Sequence, residues 1–197
     1  QLTEKQFLDA ARPWGNYKEH YRPLVETAKG HGIPVIAANI PRRIASAAAR
    51  HGHEFKKHLS LKDLQFLPSR LEVIQNRYYE KFVKTMSSHG GMGKKGMKMG
   101  KMVDRFYLAQ CLKDETMAQA IESHHKKHPQ RLIIHINGCF HSDEFLGTAE
   151  KLKKRYPGLR IGVISILPCK ALPPEHLNKD DLKLGSYIIY SQVLPDQ

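Results

Sequence analysis

The stretch Leu132-Ile133-Ile134-His135-Ile136-Asn137-Gly138-Cys139-Phe140-His141 decides the fold class. Leu132 to Ile136 is apolar apart from His135, and it is too short for a self-standing helix. It reads as a buried strand that runs into an Asn-Gly loop. Helical patterns flank it. Met102 to Lys127 is a long helix ended by Pro129, and Asp143 to Tyr156 is a helix closed by Pro157-Gly158. Further out, Ile33 to Ala38 and Ile161 to Leu167 are two more short apolar runs, and Tyr187 to Leu194 is an edge-strand candidate. Strands separated by helices pair in parallel through right-handed crossovers. The expected fold is therefore α/β, a small and mostly parallel central sheet flanked by helices.

The remaining segments fit between these. Tyr17 to Lys29 spaces Tyr17, Tyr21, Leu24, Val25 and Ala28 as one helix face, and Gly30 and Gly32 stop it. Pro41 permits a helix start before the Ala-rich run Arg42 to Arg50. Phe55 to Pro68 is amphipathic but irregular, and Glu72 to His89 reads as helix. Residues 90–100, with Gly, Lys and Met and no core-forming period, read as a mobile loop. The expected organisation is one α/β domain over residues 1–168 and a C-terminal extension over 169–197. Three or four strands make a thin sheet, and the chain opens Gln1-Leu2-Thr3 without Met. Both features lead us to expect an N-terminal part upstream.

Composition narrows the function classes. At 41% hydrophobic and 26% charged residues the chain can bury a core, and no apolar run is long enough to span a bilayer as a helix. Three cysteines cannot build a disulfide framework. The 32 Lys and Arg against 19 Asp and Glu give a net charge of +13, which favours anionic partners. Nucleic acid is not expected: aromatics are only 8% and no recognition motif occurs.

In open parallel sheets, ligands bind beyond the carboxyl ends of the strands. Here those ends lead into Asn39-Ile40-Pro41-Arg42-Arg43, Asn137 to His141, and Pro168-Cys169-Lys170. That rim offers cations for an anionic ligand and His141 for a metal; ordinary turn chemistry is the competing reading. On the long helix, Val103, Tyr107, Gln110, Asp114, Met117 and Ile121 form one stripe, apolar at its ends and polar in its middle. If it faces the sheet, Tyr107, Gln110 and Asp114 need partners. They either line a pocket or form a buried network that fixes the helix. The histidines His124, His125 and His128 read as a solvated helix end, and His135 as a strand residue. No HExxH, CxxC or zinc-finger spacing is present. His89 adjoins the Met-rich loop and is a candidate beside a soft metal or haem.

Several segments together resemble the ChaN-type haem-binding lipoproteins of the Tiki and erythromycin-esterase-like superfamily. They are Tyr17 to Glu26, Gly32 to Arg42, Phe106 to Ala118, and Ile133 to His141 with its G-x-x-H at Gly138 and His141. The resemblance covers most of residues 14–167. It implies an α/β fold, a haem cofactor, and a role in iron or haem uptake or storage at the bacterial cell envelope. It also implies an upstream lipid anchor at the outer membrane, and a homodimer or a complex with outer-membrane proteins. Tyr107, His141 and His89 are the implied iron candidates. Asn39, Arg42, Arg43, Gln110, Asp114 and Lys170 are candidates for the pocket or the propionates. Enzymes of the superfamily use an N-terminal G-E-x-H, which this chain lacks. A metal-dependent hydrolase is therefore the alternative reading.

Overall fold

A computed structural model describes residues 3–11, 13–88, 96–174 and 178–193, without the side chains of residues 88 and 96–99. The chain divides into two compact units, Gln1–Ala37 and Ala38–Gln197. In the first, α1 (Glu4–Ala10) opens on a Thr3–Gln6 capping box, which satisfies two otherwise orphan N–H donors. A π-turn at Tyr17–Tyr21 leads into α2 (Arg22–Gly30), with Pro23 at the helix start where a missing N–H costs nothing. Arg22 pairs with Glu4, and the rings of Trp14 and Tyr21 lie 5.0 Å apart. None of the described residues of this unit is buried.

The second unit carries the core. Its elements are α3 (Arg42–His51), α4 (Leu61–Leu64), α5 (Arg77–Ser88), α6 (Gly96–Lys127), α7 (Thr148–Arg155), β1 (Ile164–Cys169) and β2 (Tyr187–Gln192). β1 and β2 pair in parallel, Ile164 opposite Tyr187 and Ile166 opposite Ile189, with residues 170–186 as the crossover. The fold is α/β, a parallel sheet flanked by helices. α6 is its axis. Leu108 and Leu112 pack against Ile44, Ala48 and Phe55; Val103, Tyr107 and Cys111 against Tyr78 and Phe82; Ala118 and Ile121 against Leu152. No described helix is long and apolar enough to cross a membrane.

Several expectations need correction. The sheet has two strands among the described residues, not three or four. Residues 33–38 and 132–136 form no ladder, because a strand needs a hydrogen-bonded neighbour and neither segment has one. The period of two survives in 132–136: Leu132, Ile134 and Ile136 stay exposed while Ile133 and His135 are half-buried. α5 begins at Arg77 instead of Glu72, because the Asn76 side chain accepts the Tyr78 N–H at 3.0 Å and caps it. α7 begins at Thr148 instead of Asp143, after a turn described below. Of the predicted loop, residues 96–100 belong to α6, and 90–95 lie outside the described residues together with His89.

Candidate functional site

The α6 stripe is buried along its whole length, so its polar middle has to find partners inside the protein. Asp114 is 0% exposed. Tyr78 of α5 donates its hydroxyl to Asp114 Oδ2 at 2.8 Å, and Thr148, the first residue of α7, donates to Oδ1 at 2.8 Å. His141 Nδ1 lies 2.7 Å from the same Oδ1. Gln110, one turn earlier on α6, donates its amide to the Tyr78 hydroxyl at 3.0 Å. A relay therefore runs from Gln110 through Tyr78 to Asp114.

Gln110 Nε2 is also 3.1 Å from His141 Nδ1. Two donors cannot bond each other, and the carboxylate is the stronger acceptor for the imidazole proton. His141 thus gives Nδ1–H to Asp114, which fixes the ring and leaves Nε2 for an outside partner. Nε2 makes no hydrogen bond to any described residue of the chain. Burial raises the Tyr78 phenol well above its ordinary pKa, and the Asp114 charge adds to this. Tyr78 therefore stays a hydrogen-bond donor.

The turn that carries His141 is tightly constrained. Glu144 and Phe145 both adopt positive φ, 62° and 58°, an unfavourable conformation for residues with a Cβ. Glu144 N–H bonds the Leu184 carbonyl at 2.8 Å, the Glu144 carboxylate pairs with Lys81 and Arg77, and Asp143 accepts the Ser165 hydroxyl at 2.7 Å. Gly147 follows with φ 55°. A Cβ there would lie 2.7 Å from the His141 carbonyl, 3.0 Å from the Tyr78 hydroxyl and 3.1 Å from Asp114 Oδ1. Only glycine permits this approach.

Near this group, His135 Nε2 is buried without a hydrogen-bond partner among the described residues. Burial lowers its pKa, with a further push from His141 and an opposing pull from Asp114. Tyr107 sits one turn before Gln110 on α6. Its hydroxyl donates to the Ile74 carbonyl at 2.9 Å, and its ring packs 4.9 Å from Tyr79 and 5.5 Å from Phe82. Burial first, then the neighbouring Cys111, raises its phenol far above the ordinary value. Cys111 is itself pushed up to about 12, chiefly by burial.

The structure thus brings together Gln110, Asp114 and His141. It does not bring Asn39, Arg42, Arg43 or Lys170 into hydrogen bonding with them. Asn39 accepts its neighbour Ile40's N–H at 2.8 Å, Arg43 pairs with Asp63 at 2.6 Å, and Arg42 and Lys170 are exposed. Cys139 and Cys169 are free thiols. No group of three or more His, Cys, Asp or Glu among the described residues is placed to hold a metal ion. Sequence reasoning missed Tyr78, Gly147 and Thr148. Tyr78 stood in the sequence only as one position of a helix ridge, and Gly147-Thr148 carried just the Gly-then-Thr signal of a helix start.

A family model described as haem-binding uptake, Tiki superfamily, ChaN matches residues 1–152 of the chain. No curated protein and no solved structure matches it.

Proposed function

This chain belongs to the ChaN family of the Tiki superfamily, the haem-binding uptake family, and from that premise we propose that it binds haem through His141 at the bacterial cell envelope. The observation that carries the reading is the Asp114–His141 contact at 2.7 Å. A metal-ligating histidine characteristically gives its second nitrogen to a carboxylate, which fixes the tautomer and raises the basicity of the ligating nitrogen. His141 has that arrangement, with Nε2 available. A ferric haem would supply an iron that an imidazole nitrogen can hold, and His141 would offer its Nε2 for that.

Of the other two sequence candidates, His89 lies outside the described residues, and Tyr107 fits less well. Tyr107 would ligate as phenolate, yet its hydroxyl is engaged by the Ile74 carbonyl and its surroundings oppose the charge. Our reading gives it the task of locking α6 against the segment before α5. His135 fits a different role: its unpaired Nε2 is a polar group beside His141 that a ligand or its water can satisfy. Iron or haem uptake or storage, with anchoring at the outer membrane and pairing with a second copy or an outer-membrane protein, completes the proposal. The chain's charge of +13 supports contact with anionic lipid. The alternative, a metal-dependent hydrolase, draws on the same Asp114–His141 pair but needs further ligands, and the haem reading asks for one.

Ferric haem titration of the full chain, read by the visible spectrum, tests this. Wild type should bind saturably with a shifted Soret band, and His141→Ala should lose the shift. A His141→Ala spectrum identical to wild type overturns the assignment.

A further inference from the structure

A cleft in the second unit lies beside the strained turn, against α7. It encloses about 520 Å³, within the range of small-molecule pockets. Its apolar wall is Phe145, Ala149, Leu159 and Ile161, and its cations are Lys153, Lys154 and Arg160. The one acid that lines it, Glu150, is neutralised by Lys154 at 2.9 Å. Arg160 has no hydrogen bond or ion pair with any described residue. Among the described residues Lys153 donates only to the Leu159 carbonyl, at 3.0 Å, which leaves two of its three hydrogens.

Phe145 is the second observation. It holds φ 58° and is 41% exposed. A strained backbone that turns an aromatic ring outward costs stability twice, and such strain clusters at ligand sites. The turn is pinned from both sides by the Glu144 contacts, so the ring is presented in a fixed place.

We propose that this cleft binds an apolar molecule bearing one or two carboxylates, with its body against Phe145 and Leu159 and its acid groups on Lys153 and Arg160. The charge balance selects an anion, and the apolar wall excludes a small hydrated one. Two sources share this chemistry, a carboxylated tetrapyrrole and a fatty acid. The inference needs no iron and does not depend on His141.

The probes are metal-free protoporphyrin, followed by fluorescence, and dodecanoate, followed by calorimetry, each added to the full chain. At least one should saturate with wild type. The double variant Lys153→Glu/Arg160→Glu should weaken that probe about tenfold at an unchanged melting temperature, the size expected from two exposed ion pairs turned repulsive. Phe145→Asn, which tolerates positive φ, should weaken it several-fold. Binding of porphyrin alone assigns the tetrapyrrole source, and of dodecanoate alone the acyl source. Saturation by neither probe, or equal affinity for the double variant, overturns the proposal. His141→Ala separates the two ideas: it should abolish the ferric Soret shift and leave metal-free porphyrin binding intact. Equal loss of metal-free porphyrin would move the probe to the Asp114–His141 group and overturn the cleft assignment.

Discussion

Asp114 and Glu115 are sequence neighbours on α6, both carboxylates, 0% and 1% exposed, yet the protein treats them oppositely. Glu115 meets full positive charges. Arg155 approaches it with two nitrogens at 2.7 and 3.0 Å, and Lys151 stands 3.4 Å away. Asp114 meets the hydroxyls of Tyr78 and Thr148 and one imidazole. A buried carboxylate satisfied by fixed cations is closed to further chemistry. One satisfied by neutral donors keeps an unbalanced charge, which makes the outer nitrogen of its imidazole a better ligand. On our proposal, two adjacent residues of one helix thus divide a structural task from a functional one.

The largest expected effect tests the structural half. Arg155→Met should destabilise the fold by about 3–5 kcal/mol, because Glu115 is left buried with a weaker partner set. Chemical denaturation measures it, and the haem spectrum of the folded fraction should not change. A loss below about 1 kcal/mol would remove Glu115 from the class of locked charges.

Gly147→Ala comes next. The new Cβ meets the His141 carbonyl at 2.7 Å, and φ 55° adds backbone strain. A loss of about 1–3 kcal/mol is expected. Unlike Arg155→Met, it should also move the ferric Soret band, since the carbonyl it displaces belongs to His141, the histidine we propose as the ligand. Stability loss with an unmoved band would separate the turn from the site.

Acid gives a test on the structural side without mutation. Arg70, and then Lys154, hold the Glu72 carboxyl down at about 2 from an ordinary 4.5. A depressed carboxylate stabilises the fold above its unfolded pKa. That contribution is lost as pH falls through the folded value, so Glu72 should weaken the protein between about pH 4.5 and pH 2. Glu72→Gln should flatten the stability profile in that window, as melting curves would record. An unchanged slope would show that the Arg70 and Lys154 contacts contribute little.

What the sequence reveals follows from the range of each interaction. The α6 stripe from Val103 to Ile121 was legible because helical spacing is local, and so was the need of Asp114 for partners. His141 was legible through Gly138 and the family pattern. Tyr78 and Thr148 were not, since each reaches Asp114 across more than thirty residues of chain, and no local signal encodes that meeting. The late start of α7 was hidden for a related reason: Glu144 and Phe145 adopt positive φ only because Leu184, Arg77 and Lys81 hold Glu144 from other elements. At 132–136 the alternation was correctly visible, but a ladder belongs to two segments and cannot be read from one.

Tyr107→Phe carries the smallest expected effect and the sharpest discrimination. The hydroxyl donates to the Ile74 carbonyl at 2.9 Å, and losing that bond should cost about 1 kcal/mol. The ring remains, and with it the packing on Tyr79 and Phe82. If Asp114 of α6 and its partner His141 form the functional pair and Tyr107 only braces the helix, the ferric haem spectrum of Tyr107→Phe should match that of wild type. A shifted band would mean that the phenol reaches iron. Binding would then have to break the Ile74 contact and drive a buried phenol to phenolate against its surroundings. The line between structural and functional residues would in that case run one turn earlier along α6, with Tyr107 on the functional side.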